Sequence, residues 1–410
     1  MMKKKRNLEG NRLQHFELSD KNRTVRWIFI IILMIVAGVA LTIGMMGVLK
    51  TPDGWDTVEV NSVQLNCGSE FILHYEYGAG EKTATDESKA LQVLYGETVE
   101  DAWKLFFNEA GVSDLKGIYE INRHPNEEVT VDSGLYRALE QVVNSGSRAL
   151  YLAPVYAEYN RVFYSEGESF ARQYDPGQND DQREYVKTLA DFASDPQAVQ
   201  LVLIGNNKVM LRASREYLDF AKQNELTRMV DFGWLRNAFI ADYIASELTE
   251  NGFTNGYISS ADGFTRNLDL RGNTYSLSLF NRSEEGIEVA AVMDYTAPKS
   301  MVFLRSYPIH EADSQRYYRF SNGRIVTMMI DPADGQSKAA TDNLVAYSTR
   351  LGCGELVLSV MPVYVADTLS EDALNALTEQ DIYSVWFSGR QLMHNQEDLR
   401  LTVYEPYYTN

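Results

Sequence analysis

The sequence predicts an α+β domain carried on one N-terminal transmembrane helix, and three observations lead there. Trp27 to Leu49 are 23 consecutive positions without a charged side chain, enough for a hydrocarbon core that needs about 20 helical residues. Apolar and polar residues alternate through Asn66 to Tyr77 and Asn273 to Phe280, the period of half-buried strands, while helical spacing runs through other segments. Strands and helices follow one another in an order that is neither regular βαβ nor all-β.

The 26 residues before the apolar run carry eight basic side chains against three acidic ones, so residues 1–26 are expected to be a cytoplasmic tail. A secretory signal has an apolar stretch of roughly 7 to 15 residues followed by small residues at a cleavage site. This run continues to Met45, Met46 and Leu49, so residues 27–49 are read as an uncleaved membrane anchor. No cysteine follows it until Cys67, which argues against a lipid-modified N-terminus. Residues 50–57 read as a juxtamembrane linker and 58–410 as one extracytoplasmic domain, with no Ser/Gly linker, repeat or low-complexity run inside it.

Removing the tail's +5 and Lys50's +1 from the chain's −19 leaves −25 on residues 51–410. Such a domain repels phosphate backbones, and nucleic acid is excluded as a partner. Helices are expected at Val99 to Ala110, Ser133 to Val143, Gln182 to Phe192, Phe232 to Leu248 and Arg350 to Met361. Strands are expected at Phe253 to Ser259, Ile287 to Met293, Met301 to Tyr307, Ile325 to Ile330, Leu344 to Ser348, Ile382 to Trp386 and Leu399 to Tyr404.

Several chemistries lack their residues. Gly78 to Thr83 superficially resembles a phosphate loop, but Glu81 and Glu76 stand where that loop needs glycine, and a Gly-rich turn between strands accounts for it. The five histidines are scattered, with no pair at helical metal-site spacing, and His74 reads as a structural histidine within a strand. There is no Gly-x-Ser-x-Gly nucleophile elbow, and no constellation for a hydrolase or sensor.

Four segments, Cys67 to Ser69, Asp231 to Asp242, Gly256 to Gly263 and Thr327 to Gly335, stand in the order in which they resemble the FAD:protein FMN transferases, the ApbE family, a resemblance that covers nearly all of residues 58–408. Cys67-Gly68-Ser69 falls where the family has Met-Gly-Thr. The run Asp231-Phe232-Gly233-Trp234-Leu235-Arg236-Asn237-Ala238-Phe239-Ile240-Ala241-Asp242 matches Asp-Leu-Gly-Gly-Ile-Ala-Lys-Gly-Tyr-Ala-Val-Asp in its ends and register. Gly256 to Gly263 falls on the following strand and Asn-x-Gly-Gly-Asp turn. Thr327 to Gly335 resembles Ser-His-Ile-Ile-Asp-Pro-Arg-Thr-Gly, keeping Asp331, Pro332 and Gly335. Cys353 to Ser359 then tracks Ala-Asp-Ala-Leu-Ser-Thr-Ala.

The resemblance implies an ApbE-like flavin-transferase fold working outside the cytoplasmic membrane, and a cofactor pocket bordered by Gly68, Ser69, Asp231, Gly233, Asp331 and Gly335. It also implies a magnesium ion on hard oxygen ligands, and here the chain departs from the pattern. The family's ligating Asp and Thr are Gly354 and Leu358. The Ala whose backbone oxygen is the third ligand is Arg236, the Lys beside it is Asn237, the second Gly is Trp234 and the His is Met328.

Two readings stand. In the leading one the domain has lost FMN transfer, has no cofactor or metal, and serves as a binding or assembly component for an extracytoplasmic protein partner. In the other it binds or transfers flavin, with FAD and Mg²⁺ met by Asp262, Asp334 or Glu355. By the alignment Cys67 and Cys353 both border the pocket, which leaves open a disulfide or two buried thiols. For the topology, protease added to intact cells should digest residues 51–410; digestion only after the cells are disrupted, or a mature N-terminus beyond residue 50, would refute the anchored reading.

Overall fold

The computed structural model describes residues 51–409 apart from 60–66, 81, 109–115, 270, 284–285, 297–298, 310–312 and 314. The expected tail and membrane span, residues 1–49, lie outside the described residues, among which no helix is long and apolar enough to cross a membrane. Residues 53–410 form one compact unit.

Nine strands build the central sheet, and their order across it follows their order along the chain: Gly54–Glu59, Phe71–Tyr77, Gly256–Ser260, Phe264–Asn267, Ser300–Arg305, Asn343–Ser348, Ile382–Ser388, Gln391–His394 and Tyr408–Thr409. Neighbours are antiparallel except the last pair. The segment 50–57 read as a linker is corrected here, because Gly54–Glu59 pairs with Phe71–Tyr77 from Gly54 opposite Tyr77 to Glu59 opposite Ile72. Trp55, Asp56 and Thr57 are exposed beside a buried Val58, so the strand lacks the alternation that reveals strands in sequence.

The central strands bury both faces, which is why they read as unbroken apolar runs. Along Ser300–Arg305, Val302 and Leu304 join one core while Met301 and Phe303 join another. Leu344 and Ala346 divide from Val345 and Tyr347 in the same way. Helices Ala84–Phe106, Arg236–Glu250 and Cys353–Tyr364 contribute to the first core through residues such as Leu91, Ile244 and Val357. A three-stranded sheet, Thr274–Ser283, Gly286–Thr296 and Arg400–Val403, closes the second with Leu279, Ala291 and Met293.

Residues 78–255 leave the sheet between its second and third strands and carry most of the helices. The first of these begins at Ala84, well before the expected Val99, because Thr83 Oγ1 accepts from Asp86 N–H at 3.2 Å and caps it. After Gly78 the chain therefore passes from a strand to a helix rather than between strands, and Gly78 N–H donates to Glu87 Oε2 at 2.9 Å. The same excursion holds a hairpin the periodicity does not reveal, Val199–Gly205 with Lys208–Ala213. It turns at Asn206 and Asn207 with φ of 52° and 59°, the left-handed geometry of tight hairpin turns.

Asp269 pins the corner where the chain leaves the central sheet for the outer one. Its fully buried carboxylate accepts from Arg271 N–H at 2.8 Å, Arg271 Nε at 2.9 Å, Asn273 Nδ2 at 2.5 Å and Tyr275 O–H at 2.9 Å. Burial by itself would raise its pKa, but the hydrogen bonds from Arg271, Tyr275 and Asn273 outweigh burial and hold it at about 2. A depressed carboxylate stabilises the fold above its unfolded pKa and loses that contribution as pH falls through the folded one. Unfolding stability should therefore drop by about 2 kcal/mol between pH 4 and pH 2 relative to Asp269→Asn, measured by denaturant titration; equal pH slopes for the two proteins would refute this.

Candidate functional site

A cleft of about 250 Å³ opens where the start of helix Arg236–Glu250 meets the central sheet and helix Ala153–Phe163. It is built around Asp231, whose segment is fixed by a buried asparagine pair. Asn122 Oδ1 accepts from Met229 and Val230 N–H at 2.8 and 3.0 Å, and Asn122 Nδ2 donates to Asn108 Oδ1 at 2.6 Å. Asn108 Nδ2 in turn donates to Asp231 Oδ2 at 2.6 Å.

The other carboxylate oxygen of Asp231 accepts from Gly233 N–H at 2.8 Å and Arg236 Nη2 at 2.6 Å. Burial opposes the charged form of Asp231, yet the Arg236 guanidinium and these hydrogen bonds bring its pKa below the ordinary carboxylate value. Gly233 has φ of 55°, and a Cβ there would stand 2.2 Å from the Tyr156 ring, so no other residue fits without displacing that tyrosine. The expected single helix from Phe232 is accordingly a 3₁₀ turn, Gly233–Leu235, leading into an α-helix at Arg236.

Arg236 lies over the Phe107 ring, 4.1 Å from its centroid. Asn237 Nδ2 donates to Glu70 Oε2 at 2.5 Å and to Asp262 Oδ2 at 2.9 Å. Arg316 Nη2 reaches Glu70 Oε2 at 3.0 Å, and Ser260 O–H donates to Asp262 at 2.5 Å. Each carboxylate of the cleft is thus held by a cation or amide of the same chain.

Of the six residues the sequence places at a cofactor pocket, Asp231 and Gly233 line this cleft. Gly68 and Ser69 form the turn before Phe71–Tyr77, with Phe71 N–H donating to Gly68 O at 3.0 Å, and their neighbour Glu70 is the one that enters the cleft. Asp331 and Gly335 do not reach it, which corrects the expectation. Asp331 accepts from Ala333 N–H and Lys338 Nζ, each at 2.9 Å. Gly335, with φ of 71°, packs so closely on Val186 that a Cβ would come within 2.9 Å. From that motif only Met328 lines the cleft.

Gly354 lies against Phe239 of the site helix, where a Cβ would meet the ring at 2.7 Å, and Leu358 is buried in the core. Asp242 occupies the start of helix Cys353–Tyr364, accepting from Cys353 and Gly354 N–H at 2.9 and 2.8 Å. Burial raises its pKa, partly offset by Arg266 and these amides. Asp262, Asp334 and Glu355 do not converge. Asp334 pairs with Lys338 at 2.7 Å and Glu355 accepts from Gly352 N–H at 3.2 Å, and among the described residues no group of three His, Cys, Asp or Glu could hold a metal ion. Cys67 and Cys353 are buried thiols with no bond between them.

Arg236→Ala should lower unfolding stability by about 3 kcal/mol, because it strands the buried Asp231 carboxylate without its cation. Asp231→Asn in the Arg236→Ala background should restore much of that loss. Denaturant titrations of the two single variants and the double variant measure the coupling, and additive effects would show the pair to be energetically idle.

No family model and no curated protein sequence matches the chain. Solved structures do. The ApbE protein of Thermotoga maritima superposes with a TM-score of 0.53 at 12% identity, covering 77% of this chain and 90% of that one. The flavin transferase ApbE from Vibrio cholerae gives a TM-score of 0.53 at 12% identity, covering 86% of this chain and 98% of that one. Residues 53–410 are similar in architecture to those proteins along most of their length, and the domain has the ApbE fold.

Proposed function

We propose that this chain is a membrane-anchored, extracytoplasmic domain of ApbE fold that has lost FAD:protein FMN transfer and acts as a binding or assembly component for a protein partner. The observation that carries the reading is the internal pairing of the cleft: Arg236 holds Asp231, and Asn237 with Arg316 holds Glu70 and Asp262. A flavin transferase needs a divalent cation beside the FAD pyrophosphate to neutralise charge as the phosphoryl group moves. The residues here do not fit that cation. Gly354 has no side-chain oxygen, the Phe239 ring fills the space beside it, and Leu358 is buried and apolar.

Two further features agree with the reading. Trp234, 8% exposed, places an indole at the cleft where the family has a glycine, removing room for a close-lying cofactor. Arg236 puts a fixed positive charge beside the position a metal ion would take, and like charges repel there. Anchoring is supported by the uncharged run 27–49 and the basic excess before it. The acidity of residues 51–410 suits an extracytoplasmic surface without nucleic acid.

Incubation of the purified chain with FAD, Mg²⁺ and a threonine-containing target protein should leave the target without covalent flavin, read as in-gel fluorescence. Flavin on the target would overturn the proposal and favour the active reading. Reinstating Asp at 354, Thr at 358, Ala at 236 and Lys at 237 together is the complementary arm. Its success requires Phe239 to yield the space it now fills.

A further inference from the structure

The strand Gly54–Glu59 is an edge of the central sheet, and edges are normally guarded by charge or proline. This one presents a tryptophan instead. Trp55, 48% exposed, lies on the same face as Thr57, His74 and Tyr257, since Thr57 pairs with His74 and His74 with Tyr257 across neighbouring strands. Val58, Leu73 and Ile258 point the other way, into the first core.

Rings from four strands fix the indole in place. Its centroid stands 6.3 Å from that of Tyr257 and, edge-on, 6.0 Å from that of Tyr275. Tyr257 is 5.3 Å from Tyr275 and stacks on His74 at 4.7 Å. These rings border an open cavity of about 410 Å³. Glu76, opposite Trp55 in the sheet, is neutralised by Arg271 at 2.6 Å, and Asp56 brings the one carboxylate among the residues lining the cavity. A preorganised and nearly uncharged aromatic patch thus stands open on an otherwise acidic domain, and such a patch marks a contact surface.

The length of chain before the strand says what covers the patch. Leu49, the last residue of the uncharged run, is five residues before Gly54, and an extended chain covers at most about 18 Å over that interval. The headgroup layer adds roughly 5 to 8 Å on each side of the hydrocarbon, so a strand tethered to a span begins close to lipid in any orientation of the domain. We propose that Trp55, Tyr257 and Tyr275 seat the domain on the membrane, their rings in the headgroup layer of an uncharged phospholipid surface. Tryptophan and tyrosine settle at that boundary because they have an apolar body and a polar edge. Asp56 and the −25 of residues 51–410 disfavour an anionic lipid surface. The proposal rests on the anchored reading of residues 27–49 and is independent of the loss of FMN transfer.

Tryptophan fluorescence of the full chain in phosphatidylcholine nanodiscs, with and without lipid brominated near the headgroup end of its acyl chains, tests it. Trp27, at the start of the uncharged run, reports the anchor and Trp55 reports the patch. Brominated lipid should quench one emission component that Trp27→Phe removes and, in the Trp27→Phe chain, a second that Trp55→Phe removes. Thr57→Asp with Thr274→Asp in the Trp27→Phe chain adds two carboxylates beside the rings, and should abolish the quenching of Trp55 while keeping the parent's melting temperature. Quenching of Trp27 without quenching of Trp55 would overturn the docking and leave the anchor standing, whereas an unquenched Trp27 would overturn the anchored reading and the docking with it. Trp55 unquenched by lipid yet shielded from acrylamide would assign the patch to a protein and overturn the proposal, as would quenching of Trp55 unchanged in the folded double variant.

Discussion

Everything at the centre of this domain is arranged so that one buried carboxylate, Asp231, can stay charged. Taking an ion out of water costs several kcal/mol even after relaxation, and the fold meets that cost from three directions at once. Asn108 arrives from the end of the first long helix, Gly233 N–H from a left-handed turn, and Arg236 from the first turn of the site helix. The Asn108–Asn122 pair extends the network to the backbone of Met229 and Val230. The path of the chain into helix Arg236–Glu250 follows from these bonds, and so does the need for glycine at 233.

That solution has a chemical consequence for the cleft. A carboxylate already neutralised by a cation of its own chain attracts a second cation less strongly, and a guanidinium stacked on Phe107 is fixed in place by both its pair and its ring. Glu70 and Asp262 are drawn into the same kind of arrangement by Asn237 and Arg316. The carboxylates of the cleft are thus committed to cations and amides of the same chain.

Elements with strong periodicity or a capping residue were readable from sequence: Ser133–Ser145 with Asp132 at its cap, Asp180–Ser194 with Asn179, and the strands Asn343–Ser348 and Ile382–Ser388. Gly54–Glu59 was not, since a run of exposed residues, Trp55 to Thr57, before the buried Val58 leaves no alternation. The hairpin at Asn206-Asn207 carried a turn signal that apolar periodicity alone passes over. At the site, Asp231 and Gly233 were visible because they lie inside one motif. Glu70, Asn108 and Arg316 were not, because each reaches the cleft from a part of the chain distant in sequence, with only the fold to bring them together. Asp331 and Gly335 look like site residues in sequence because a tight turn needs the same residue types as a pocket does.

The order of strands in the central sheet matters for synthesis as well as for architecture. Phe71–Tyr77 must pair with Gly256–Ser260, yet residues 78–255 lie between them. At about 5–20 residues per second, a ribosome needs roughly 10 to 35 s to deliver the missing partner. For that interval Leu73 and Tyr75, fully buried in the finished domain, are without the strand that completes their sheet, and the nascent hairpin presents an open edge to other chains. The long excursion thus makes the first two strands the part of this protein with the greatest need of a chaperone, or of a helical segment that folds early enough to cover them.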